Sequence, residues 1–141
     1  MLLDKINNST MVQEKALDAA WLRNEVLAHN LANVDTPTYN RKDVDFEKYM
    51  RAALEPRDDD DTIFHLRHGF RFEDPEPDIS DIHGVVREEY NTMAMRIDGN
   101  NVDIDEEMAQ MAQNTIKYNT VTQNVNSKFS KIKHAITEGR R

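Results

Sequence analysis

The sequence predicts a mainly α fold in which long N- and C-terminal helices pair as a coiled coil around a loosely ordered middle segment containing short β-strands. Three observations predict it. From Val12 to Val34, apolar residues recur at helical spacing (Leu17, Ala20, Leu27, Leu31 and Val34), with Asn24 filling the gap. Near the other end, Ile104, Met108, Met111, Thr115, Tyr118, Thr122, Val125, Phe129, Ile132 and Ile136 alternate steps of four and three, the 3.5-residue period of a left-handed coiled-coil seam. Between them, Pro56, Pro75, Pro77, Gly69, Gly84, Gly99 and the run Asp58 to Asp61 punctuate the chain. The expected divisions are an N-terminal helix and turn over 1–40, a middle segment over 41–101 and a coiled-coil helix over 102–141.

The N-terminal helix carries Asn24 within its stripe, where it is either the kind of polar residue that fixes register in a coiled coil or an exposed side chain on a slightly rotated helix. The C-terminal helix has clearer bounds. Asp103 is a good N-cap, Glu106 completes a capping-box pattern, and Asp105 and Glu107 put negative charge at the positive end of the helix dipole. Lys128, Lys131 and Lys133 suit the negative end, and Gly139 stops the run. A helix from about Ile104 to Glu138 is roughly 50 Å long at 1.5 Å per residue. The first helix covers only part of such a seam, so some is left over for other molecules.

In the middle segment, "RKDVDFEKYMRAALE" (41–55) predicts a short helix, while "EPRDDDD" and "FEDPEPDISDIHG" read as solvated loop. "IFHLRHGFRF" (63–72) and "TMAMRIDG" (92–99) alternate partially with period two and predict short strands, the latter ending in an Asp98-Gly99 turn.

Composition narrows the function. In 141 residues, a 38% hydrophobic content implies a thin core, and a formal net charge of -8 repels nucleic acid. The absence of cysteine removes disulfides and thiolate chemistry. The first residues mix charges and amides, so neither a cleaved signal peptide nor membrane insertion is expected. Asp58 to Asp61 lack the fixed geometry of a calcium loop, and "DGNNVDIDEE" (98–107) has its glycine too early for one. His65 and His68 have no third ligand spaced for zinc, and no Ser, His and Asp set is marked out for nucleophilic chemistry. The sequence therefore predicts no enzyme, cofactor, metal or small-molecule substrate.

The first helix ends at "HNLANVDTPTYNRKDVDF" (29–46) for chemical reasons. Pro37 disfavours helical geometry at Thr36, and the Asp35 and Thr36 side chains compete for nearby backbone. Asn30, Asn33 and Tyr39 are left beside an exposed helix end that reads as if another subunit completes it.

Here the sequence resembles the flagellar rod, hook and hook-associated axial proteins, whose N-terminal helix ends in Ala-Asn-x-x-Thr-Pro-Gly-Tyr. The corresponding residues are Ala32-Asn33-Val34-Asp35-Thr36-Pro37-Thr38-Tyr39. Thr38 replaces the usual glycine, so the turn must use negative φ or carry strain. "DGNNVD" (Asp98 to Asp103), "EEMAQMAQNTIKYNT", "KFSKIKHAI" and the small size resemble the proximal rod members. The resemblance covers about 5–55 and 93–137. It implies a structural subunit of the proximal rod, exported by the flagellar type III apparatus. Its implied partners are other rod proteins and copies of itself in a helical assembly, with the motor ring and export gate at the base. It also implies subunit-interface roles for Asn30, Leu31, Ala32, Asn33, Thr36, Pro37 and Tyr39, and for Asp98, Gly99, Asn100, Asn101 and Asp103. The expected coiled-coil seam comprises Leu17, Leu27, Met108, Met111, Tyr118, Val125, Phe129 and Ile132. The alternatives are another rod-family component, or a coiled-coil adaptor or secretion chaperone, which would have no reason to carry the Ala-Asn-x-x-Thr-Pro stop.

Overall fold

The computed structural model describes residues 2–54, 79–80, 82–89 and 99–138. Two long helices, α1 (Leu2–Ala32) and α3 (Ile104–Glu138), lie antiparallel, and between them in sequence come β1 (Lys42–Asp45), the short helix α2 (Glu47–Leu54) and β2 (Val85–Glu88). The strands form a two-stranded antiparallel sheet in which Lys42 faces Glu88 and Asp45 faces Val85.

Helix α3 begins where its capping residues predict. The Asp103 carboxylate accepts the backbone N–H of Asp105 at 2.9 Å, satisfying a donor that has no partner within the helix. Its roll about its own axis differs from a simple seam-to-seam pairing. The row facing α1 is Glu107, Asn114, Val121 and Lys128, which recur every seven residues on one flank of the predicted stripe. Met111, Val125 and Ile132 lie half-buried at the margin of that contact, while Met108, Tyr118 and Phe129 are exposed.

The contact between the long helices accordingly includes buried polar groups. Asn114 donates to the carbonyl of Ala20 at 2.7 Å and to the Asn24 side chain at 2.8 Å, so Asn24 meets a specific partner across the pair. Further along, the Lys128 ammonium donates to the Ile6 carbonyl, Ser9 and Thr10 at 2.8 to 3.1 Å. Lys128 thus spends its charge on α1 rather than on the end of its own helix. These fixed donors set the register of the two helices.

The apolar core sits on the other side of α1. Ala19 and Val26 pack with Val44, Phe46, Met50 and Ile82, and Leu27 is also fully buried. The short helix predicted within 41–55 occupies Glu47–Leu54, and ahead of it Val44 and Phe46 turn inward with Asp45 between them, as in a strand. Gly84 lets the second strand approach, since a Cβ there would lie 2.8 Å from Leu22 Cδ2 and 2.9 Å from Val44 Cγ1. The stretch 63–72, and 92–99 apart from Gly99, lie outside the described residues.

Arg23 ties α1 to the start of α2. Its guanidinium donates to both oxygens of Glu47 at 2.6 Å and to the Val44 carbonyl at 2.8 Å. The Arg23 hydrogen bond lowers the Glu47 pKa to about 2 against an opposing effect of burial. A depressed carboxylate stabilises the fold above its unfolded pKa and loses that contribution as pH falls from about 4.5 toward 2. The stability difference between the native chain and Arg23→Met should therefore be full at pH 6 and shrink through that window in urea titrations. A difference unchanged at pH 2.5 would rule the ion pair out as its source.

Candidate assembly interface

After Ala32 the backbone leaves the helix through a chain of tight turns, with Asn33 N–H donating to the carbonyls of both His29 and Asn30, and Thr36 N–H to Asn33. The carbonyls of this turn, just beyond the helix, also need donors. Fully buried Asn100 supplies them: its amide nitrogen lies 3.0 Å from the Asn33 carbonyl oxygen and 2.9 Å from those of Val34 and Thr36. Its own oxygen accepts the N–H of Val102 at 2.8 Å. The chain's own second motif thus braces the turn that follows the first helix.

Asn30, also fully buried, pairs with the backbone of Lys42 as a strand would, donating to its carbonyl at 2.7 Å and accepting its N–H at 3.0 Å. Because Lys42 fixes which end of the amide is oxygen, the Tyr39 hydroxyl must donate to Asn30 Oδ1 at 3.0 Å. His29 Nδ1 lies 2.8 Å from that hydroxyl. Burial and the carboxylates of Glu88 and Glu107 raise the Tyr39 pKa. Asn33 turns back onto the His29 carbonyl and accepts a bond from Thr36.

Glu107, with no exposed surface, accepts from Asn30 at 3.0 Å and from Arg41 Nε at 2.5 Å. Arg41 reaches Gln110 at 2.9 Å and Glu89 at 3.3 Å as well. Burial alone would lower the Arg41 pKa, but Glu107, Glu89 and Asp43 together hold it above its ordinary value. The Asn101 side chain bridges the end of the sheet, accepting from Arg41 N–H at 2.7 Å and donating to the Glu89 carbonyl at 3.0 Å. The two sequence motifs therefore interlock.

Thr38 resolves the question raised by its missing glycine: its φ is 59°, the left-handed region, beside Gly99 at 79°. The turn keeps the glycine geometry and bears the strain. Ala32, Thr36 and Pro37 remain on the surface, Leu31 is half-buried, and Asp98 lies outside the described residues.

Arg41, Glu107, Asn114 and Lys128 carry much of the polar network without having been singled out as site residues. Their heptad spacing was visible in three cases, but nothing local marked which flank faced inward. An open apolar groove of about 400 Å³ between α1, α2 and α3 includes Ala16, Ala20 and Phe46 in its lining. Among the described residues no group of three or more His, Asp or Glu side chains comes together as a metal site; Asp58 to Asp61, His65 and His68 lie outside them. No described helix is long and apolar enough to cross a membrane.

No protein-family model matches the chain. It is 32% identical over 127 positions to the flagellar basal body rod protein FlgB of Bacillus subtilis, covering 90% of this chain and 92% of that protein. The chain belongs to the FlgB family of flagellar basal body rod proteins. FlgB of Proteus mirabilis is 30% identical over 148 positions, covering 98% of this chain and all of that protein. FlgB of Escherichia coli is 30% identical over 121 positions, covering 83% and 84%.

Two substitutions test the interlock. Thr38→Gly should raise stability by up to ~1 kcal/mol, because relief of left-handed strain outweighs the added freedom of the unfolded chain; an unchanged or lower urea midpoint would show the turn to be unstrained. Asn100→Ala should cost roughly 1–3 kcal/mol by leaving the buried Val102 N–H without its partner and removing a donor shared among three turn carbonyls. A loss below ~0.5 kcal/mol would show that the turn needs no such brace.

Proposed function

We propose that this chain is a non-catalytic structural subunit of the proximal flagellar rod, assembling with other rod proteins and with copies of itself, and transmitting torque toward the hook. The observation that carries this is a combination: FlgB family membership, and a helix pair held together by polar contacts that leaves Met108, Tyr118, Phe129 and Ile136 exposed along α3. A soluble monomer rarely displays apolar residues in a continuous helical row without a use for them. Contacts with the motor ring and export gate at the rod base, and delivery by the flagellar type III apparatus, belong to the same proposal. Exposed turn residues Thr36 and Pro37 and the outer stripe of α3 are its subunit contacts, and the buried Asn30 and Asn100 act by shaping that turn.

Phe129 is 55% exposed, so Phe129→Asp should leave the subunit folded while charging a packed surface of the rod. In a strain lacking the gene, the native chain should restore swimming and rods seen by electron microscopy of basal bodies, and the Phe129→Asp chain should restore neither. Normal rods built from the variant would remove the α3 stripe from the assembly surface; normal rods in the deletion strain would remove the rod function itself.

A further inference from the structure

Two sides of α1 are covered: Asn24 and the Ala20 carbonyl meet α3, and Ala19 and Val26 belong to the core. Over residues 14–28 the exposed positions are Glu14, Asp18, Trp21, Glu25 and Ala28, alternating steps of four and three along the third side. This row holds three carboxylates and the chain's single tryptophan, which is 64% exposed. None of the three carboxylates has an ion-pair partner among the described residues, and the nearby cations stand off the row. Arg23 is bound to Glu47, and Lys15 is half-buried.

A face meant only for water would be built differently. Exposed helix faces gain from opposite charges four residues apart, yet Glu14 and Asp18 repel at that spacing. An indole set between Asp18 and Glu25, with acid one turn away on either side, is the complement of a cationic surface: carboxylates attract lysine or arginine, and the face of a tryptophan is the best side-chain site for a cation. Glu14 to Ala28 extends about 21 Å along α1. A helix with its cations three or four residues apart matches that length and spacing.

Among the described residues, this chain does not itself supply such a surface. On α3, Lys128 donates to α1 and His134 pairs with Glu138 at 3.2 Å, while Lys131 and Lys133, two residues apart, lie on different faces. Lys48 and Arg51 share a face of α2, but that helix has eight residues and spans only about 12 Å. We propose that the Glu14–Glu25 face of α1 docks on a basic helix of a different rod protein, with Trp21 against its lysine or arginine side chains and the carboxylates paired with them at either end. The inference rests on the rod reading and adds to it a second contact surface, charged where the stripe of α3 is apolar.

The test uses the full chain in assembled basal bodies. In a strain lacking the gene, the Trp21→benzoylphenylalanine chain should cross-link under ultraviolet light to a different rod protein, on a peptide with lysine or arginine three or four residues apart. Asp18→Lys with Glu25→Lys should remove rods from most basal bodies, and reversing the cross-linked cations to glutamate should restore them. An adduct between two copies of this chain would overturn the proposal. So would an adduct on a segment without that cation spacing, the absence of any adduct in assembled rods, or normal rods built with the two lysines. The native chain in the same strain tests the rod reading alone. If it restores no rods, that reading fails; if rods form without the α1 contact, only this inference does.

Discussion

A carboxylate cut off from water must be surrounded by donors, and in this chain that carboxylate is Glu107. Removing a charge from water costs several kcal/mol unless it is paired and hydrogen-bonded. Arg41 and Asn30 provide both, and they come from segments far apart in sequence. For Arg41 to reach Glu107, the chain must fold back sharply after α1, and this return path carries Thr38 into the left-handed region and lays β1 alongside the end of the helix. Asn100 and Asn101 then fill the two backbone gaps that the reversal opens, one in the turn after the helix and one at the end of the sheet. The fold's least regular stretch is thus among its most constrained.

The distribution of polarity follows from this arrangement. Glu107, Asn114 and Lys128 turn toward α1, so the apolar stripe that would close a simple helical hairpin is rolled partly outward. The small core formed with β1, α2 and Ile82 anchors only one part of the long helix pair. Toward the free end, Lys128 reaches the Ile6 carbonyl and two hydroxyls, contacts that fix geometry more than they contribute hydrophobic stabilisation. Such a subunit is specified by directional bonds and finished by packing against something else, which suits a component of the basal body rod.

Much of the helical framework was legible in the sequence. The bounds of α3 could be read because capping is local: Asp103 needs only its neighbours to act. The stop after Ala32 could be read for the same reason. The roll of α3 could not, because a period of 3.5 identifies a stripe but not which flank of it a partner will cover, and the choice was made by a buried glutamate whose partners lie on other segments. Strands β1 and β2 were hidden because Val44 and Phe46 are too few to declare a period, and Val85 and Val86 point nothing inward. Asn100 stood out as part of a motif, but its role required three carbonyls created by a turn far upstream. The strain at Thr38 was readable only as one of two alternatives, since the backbone angle is imposed by the interlock and not by threonine.

The buried polar groups of the α1–α3 contact have a thermal consequence. Heat capacity change on burial comes mainly from apolar surface and is reduced by polar surface. Each buried polar group between α1 and α3 therefore lowers the calorimetric signal of closing the helix pair, whereas covering Met108, Tyr118, Phe129 and Ile136, in the subunit contacts proposed above, should carry a negative heat capacity change. The temperature sensitivity of the assembled structure would then reside in the joints between molecules rather than within each one.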